Sequence, residues 1–181
     1  MVFCHAIYFM RKIFCFVWCL VFSCGLLADP KQQMVLKKAE LALANSDYSA
    51  AYDIYHKLAA KNPLAKFYLG VFYKNGWGRA VDYKKACFWF EQAAKGTIPT
   101  AEHEFGECLA HGISSPVDIP KAVYWYERAA IHGHFLSSCF AADYYLRGEG
   151  VAKDVGKGLE MCAQAARAAS PPAMMKMASF Y

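Results

Sequence analysis

His103-Glu104 is the first pair in the chain that could do chemistry, because a His-Glu step begins the metalloprotease helix in which two histidines four residues apart hold zinc and the glutamate acts as base. Position 107 carries Glu107 instead of the second histidine and no third ligand is spaced for zinc, so the pair reads as helix surface. His132-Gly133-His134, with Cys139 nearby, offers nitrogen and sulfur donors, but the polarity of a turn accounts for it more simply. No metal or other cofactor is expected. Gly76-Trp77-Gly78 and Gly148-Glu149-Gly150 have the composition of phosphate loops, yet they recur at one phase and follow helices rather than strands, so they read as helix stops. No G-x-S-x-G occurs, and no cysteine has a local signature tying it to a histidine; an enzyme is therefore not expected.

The elements that carry these residues repeat. Ala65, Gly70, Tyr73, Gly76, Asp82, Lys85, Ala86, Trp89, Phe90, Ala93 and Ala94 fall on Ala101, Gly106, Leu109, Gly112, Asp118, Lys121, Ala122, Trp125, Tyr126, Ala129 and Ala130 when the chain is shifted by 36 residues. A second shift reaches Ser137, Ala142, Tyr145, Gly148, Asp154, Lys157, Gly158, Met161, Cys162, Ala165 and Ala166. A period in this range decides architecture before any element is assigned. Each unit reads as two helices. The first carries Ala65, Leu69, Gly70 and Tyr73 on one face and stops at the glycines; the second begins after an aspartate N-cap and lines up Ala86, Trp89, Phe90 and Ala93. Neither helix could bury its stripe alone, so the units must stack into an all-α, right-handed solenoid of helical hairpins.

The pattern A-x3-L-G-x2-Y-x2-G-x-G followed by D-x2-K-A-x2-W-Y/F-x2-A-A resembles the Sel-like repeat, a relative of the tetratricopeptide repeat. The second unit shows it as Ala101, Phe105-Gly106, Gly112, Asp118, Lys121-Ala122, Trp125-Tyr126 and Ala129-Ala130, with Ser114 in place of the second turn glycine. Three units are expected, over 65–100, 101–136 and 137–172, preceded by a tetratricopeptide-like capping hairpin in 29–64 and followed by the first helix of an incomplete fourth unit in 173–181. That last stretch is apolar at Ala173, Met174, Met175, Met177, Phe180 and Tyr181. It is expected either to meet a second copy or to mark a shortened chain, and the second reading is preferred.

The chain has 181 residues, 57% of them hydrophobic, which suits one domain or one short array. Arg11 and Lys12 precede an uncharged stretch from Ile13 to Ala28, too short to span a bilayer comfortably and ending in Leu26-Leu27-Ala28. Residues 1–28 thus read as an export signal whose start could be Met10, with Val21-Phe22-Ser23-Cys24 a loose lipobox that would anchor the protein through Cys24. The expected location is periplasmic or secreted. All 15 acidic residues lie after Ala28, where they face 18 basic ones, a balance that argues against nucleic acid or an anionic membrane. Cys87 on a second helix and Cys108 on the next first helix are about equally far from their connecting loop and could pair. The preferred reading is that Cys108 stands in for Phe72 and Tyr144 as a small buried hydrophobe, with the pairing left open.

Resemblance to tetratricopeptide arrays implies that the first helices line a concave face. Its positions here are Phe67, Val71, Lys74 and Asn75, then His103, Glu107, Ala110 and His111, then Cys139, Asp143, Leu146 and Arg147. With the export signal, the absence of a catalytic constellation and the concave surface of stacked hairpins, this resemblance leads to the expectation of an exported, non-catalytic scaffold that binds a protein or peptide segment there, with Phe67 and Val71 expected as an apolar patch and Glu107, Asp143 and Arg147 as setting selectivity. Two other functions stay open: an envelope hydrolase, as proposed for some cysteine-rich relatives, and a structural fragment without its own ligand.

Overall fold

The computed structural model describes residues 29–168 and Met175. The expected export signal, Cys24 and, Met175 apart, the expected helix over 173–181 lie outside the described residues. Within residues 29–168 eight α-helices follow one another: α1 (Pro30–Ala44), α2 (Tyr48–Leu58), α3 (Pro63–Asn75), α4 (Tyr83–Ala94), α5 (Pro99–Ala110), α6 (Ile119–Ile131), α7 (Leu136–Arg147) and α8 (Val155–Arg167). Among the described residues there is no strand. Each helix packs on its neighbours in sequence, so the hairpins α1–α2, α3–α4, α5–α6 and α7–α8 stack in a row. The core is accordingly a string of clusters rather than one centre, as a solenoid requires.

The repeated D-x2-K has a local cause. A helix start leaves backbone N–H groups without partners. Asp82, Asp118 and Asp154 accept bonds from the backbone N–H groups of Lys85, Lys121 and Lys157 at 2.9, 3.1 and 2.9 Å, opening α4, α6 and α8. The ammonium groups of Lys85 and Lys121 fold back onto the same carboxylates at 3.1 and 2.7 Å. The backbone N–H of Lys85, then its ammonium, holds the Asp82 carboxyl below its ordinary 3.8, and the side chain of Lys121, then its backbone N–H, does so for Asp118. A lowered folded-state value means stability that is fully present above the ordinary value and is lost as pH falls through the lowered one. Asp118→Ala should therefore lower the thermal midpoint at pH 7, and the gap from wild type should close as pH drops below 3.8. Thermal unfolding at several pH values checks this; a gap independent of pH would contradict it.

Within each unit, small and large residues are matched. A Cβ at Gly70 would lie 2.5 Å from the Phe90 ring, and one at Gly106 would lie 2.7 Å from Tyr126, so the two helices of these units touch where no side chain fits. The third unit changes both partners at once, to Ala142 and Cys162. In the Trp-Phe and Trp-Tyr pairs the second aromatic is the deep one: Phe90 and Tyr126 are buried, whereas Trp89 and Trp125 are half-buried. At the N-terminal end Tyr55 is buried and stacks on Tyr68 at 4.5 Å, while the Arg79 guanidinium lies 3.1 Å above the Tyr52 ring. The hairpin α1–α2 thereby seats on α3 and its following turn.

Candidate functional site

The first helices α3, α5 and α7 repeat four positions at the 36-residue period, and each position has its own surroundings. The phase of Phe67, His103 and Cys139 points at the second helix of its own unit. Phe67 meets Phe90 with ring centroids 5.9 Å apart, His103 meets Tyr126 at 5.4 Å, and Cys139 is bonded to Cys162. Cys139 is fully buried, so its expected place on a groove is corrected: this phase packs inward because the second helix lies directly against it. Phe67 and Val71 are half-buried against the cluster of Ala86, Cys87, Phe90 and Cys108. The phase of Asn75, His111 and Arg147 is exposed in all three units.

Cys87 and Cys108 form a disulfide with Cα atoms 5.8 Å apart, joining α4 of one unit to α5 of the next. The preferred expectation for Cys108, a free buried hydrophobe, is thus corrected; Cys108 is buried, but it has a bonded partner at the same height on the antiparallel neighbour. Beside this bridge lies a cavity of about 150 Å³ between α3, α4 and α5. Tyr83, Phe90 and Ile113 give it apolar walls, and Lys74, Glu104, Glu107 and His111 stand around it. The Lys74 ammonium donates to both oxygens of Glu104, at 2.6 and 2.7 Å, tying α3 to α5. Glu107 accepts from the Tyr126 hydroxyl through Oε1, and its Oε2 lies 3.3 Å from His111 Nε2. Burial, then this carboxylate, pushes the Tyr126 hydroxyl far up, so it stays a donor. Lys74, Glu107 and His111 are therefore gathered at one place. Asp143 and Arg147 are not among them: they pair with each other along α7 at 2.8 Å, and Leu146 packs beside Gly158.

Two further polar groupings were not singled out from the sequence. Ser137, fully buried, has His103 Nδ1 at 2.9 Å and His134 Nδ1 at 2.7 Å from its hydroxyl oxygen. A hydroxyl has one hydrogen, so it donates to one imidazole and accepts from the other, which fixes the two rings in opposite tautomers. Burial, then the neighbouring His134, lowers His103 to about 4, and burial lowers His134 as well. The native state thus holds these rings neutral. Because the folded values lie below the ordinary 6.5, stability should fall as pH drops from 6.5 toward 4. His103→Gln should flatten that part of a urea-midpoint profile; an unchanged slope would contradict the assignment. In the second grouping Glu102, fully buried, lies 3.0 Å from Arg128 Nη2 and 2.7 Å from His132 Nδ1. His132 is thereby occupied by a carboxylate, and among the described residues no group of three or more His, Cys, Asp or Glu side chains is placed to hold a metal ion.

With helix pairs, caps and Gly-aromatic contacts recurring at one period, the family can be decided by comparison. The family model of the Sel1 repeat matches residues 63–97, 99–134 and 137–170, more than half of the chain. The chain belongs to the Sel1 repeat family. The crystal structure of a Sel1 repeat protein from Oxalobacter formigenes is similar over 84% of this chain and 66% of that one, at 26% identity and a TM-score of 0.72. A protective antigen present in uropathogenic Escherichia coli strains, displaying an SLR fold, is similar over 75% of this chain at 24% identity and a TM-score of 0.63. This Sel1 repeat chain spans just under two thirds of the first structure's length and 33% of the second's. No curated protein matches it. The three Sel1 units correspond to α3–α4, α5–α6 and α7–α8, and the candidate site belongs to the first two of them.

Proposed function

We propose that this Sel1 repeat protein is an exported, non-catalytic scaffold that binds a protein or peptide segment along the face of its first helices. The observation that carries the reading is the row Lys74, Asn75, Glu107, His111, Asp143 and Arg147. These residues sit at fixed phases, change chemistry from unit to unit, and remain at least partly exposed. Core packing alone gives no reason for that variety, and stacked hairpins present such a row as one continuous surface. Fully buried Ser137, held by two imidazoles, is out of a substrate's reach, which favours binding over a serine-based hydrolysis. Export is supported by the two disulfides, which persist in oxidising compartments.

The test uses the oxidised protein as bait in an envelope extract of its own host. A partner captured by wild type should be lost when Asn75 and Arg147 are both changed to Glu, and kept when Tyr124, exposed on the second helix α6, is changed to Glu. Capture that survives the first change and fails with the second would overturn the reading, as would a hydrolytic activity abolished by His103→Ala.

A further inference from the structure

We propose that the cavity between α3, α4 and α5 is the seat of a lysine side chain contributed by the bound partner. The inference rests on the reading of the first helices as a binding face, and it names the partner chemistry. The walls call for a hydrocarbon stem: Phe90, Ile113, Tyr83 and the Cys87–Cys108 bridge line a space of about 150 Å³, suited to a slender chain. The mouth calls for a positive charge. Two carboxylates, Glu104 and Glu107, stand there, and only one has a permanent cation. Glu104 has both oxygens on the Lys74 ammonium. Glu107 has the neutral Tyr126 hydroxyl on one oxygen, and on the other an imidazole that carries charge only when protonated. Its side chain is 28% exposed, so it is partly desolvated yet reachable from the cavity mouth. A partly buried carboxylate above an apolar pocket attracts an alkylammonium group, which buries its methylenes and keeps its charge at the rim. A neutral alkyl group would fill the walls and leave the carboxylate uncompensated; an anionic one would face Glu107 directly.

The experiment is an NMR titration of the oxidised full chain with n-butylammonium, the lysine side chain without its backbone, against n-butanol and pentanoate. Saturable shifts are expected at the amides of Tyr83, Cys108 and Ile113 with n-butylammonium, about tenfold weaker with n-butanol, and absent with pentanoate. Glu107→Gln should abolish the preference for the cation. His111→Lys, which supplies Glu107 with a permanent cation and leaves the Tyr126 contact in place, should weaken n-butylammonium binding while the rest of the spectrum is unchanged. Equal response to the alcohol and the amine, or no saturable shift at these amides, would overturn the proposal. The probe needs no partner, so its failure leaves capture by the first-helix face standing, and loss of capture leaves the probe result standing.

Discussion

Reducing both disulfides is expected to lower the stability of the folded array more than any single side-chain change. The bridges close segments with sequence separations of 21 and 23, for which chain-entropy reasoning gives about 3 kcal/mol each. Their effects should differ in kind. Cys87–Cys108 joins α4 to α5 and so holds one unit to the next, whereas Cys139–Cys162 joins α7 to α8 and closes the third unit on itself. In a linear array, stability is close to a sum of unit and interface contributions. Cys87→Ala with Cys108→Ala should therefore uncouple the N-terminal units from the rest and broaden the urea transition. Cys139→Ala with Cys162→Ala should release the third unit at lower urea. Unfolding followed with and without reductant decides it; equal midpoints in both would contradict the expectation.

Arg128→Met should be the most damaging substitution of a partly exposed residue, costing about 3 kcal/mol. Glu102 is fully buried, and its Oε1 has the Arg128 guanidinium at 3.0 Å as its charge partner. Removing that partner leaves a carboxylate sealed in the core, with His132 on its other oxygen. The guanidinium also lies 4.8 Å above the Trp125 ring, a contact that methionine replaces only in part. Because the damage comes from the stranded charge rather than from the lost contact, Arg128→Met combined with Glu102→Leu should recover most of the loss. Chemical denaturation of the single and double variants measures this. A double variant no better than Arg128→Met would show that the ion pair itself, not the orphaned carboxylate, holds the hairpin.

These two predictions rest on features of unequal visibility in the sequence. The helix pairs, caps and turn glycines were legible because each is local and occurs three times, so a coincidence at 36 residues exposes it. The aspartate caps need only the backbone three residues on. Glu102 and Ser137 were not legible, because each departs from its repeat: Glu102 stands at the phase of Lys66 and Ser138, and Ser137 at the phase of Ala65 and Ala101. Of their partners only His134 is local, three residues before Ser137; Arg128, His132 and His103 lie 26 to 34 residues away. The Cys139–Cys162 bond is an intermediate case. Its two positions are those of Phe67 with Phe90 and of His103 with Tyr126, so one contact recurs as an aromatic pair, an imidazole on a phenol ring, and a covalent bond. The sequence aligns Phe67, His103 and Cys139 at one phase and Phe90, Tyr126 and Cys162 at another, but that the two phases touch is a property of the packed hairpin. The mixed surface row, by contrast, was visible as variation at fixed phase, and only its division into packed and exposed phases required coordinates.

Hydrogen–deuterium exchange of the oxidised protein, alone and with its captured partner, shows whether the proposed binding face lies on the first helices. Added protection should appear in α3, α5 and α7, strongest around Lys74, Glu107 and His111, while α4, α6 and α8 keep their exchange rates. Protection confined to the second helices, with no change in α3, α5 and α7, would contradict it.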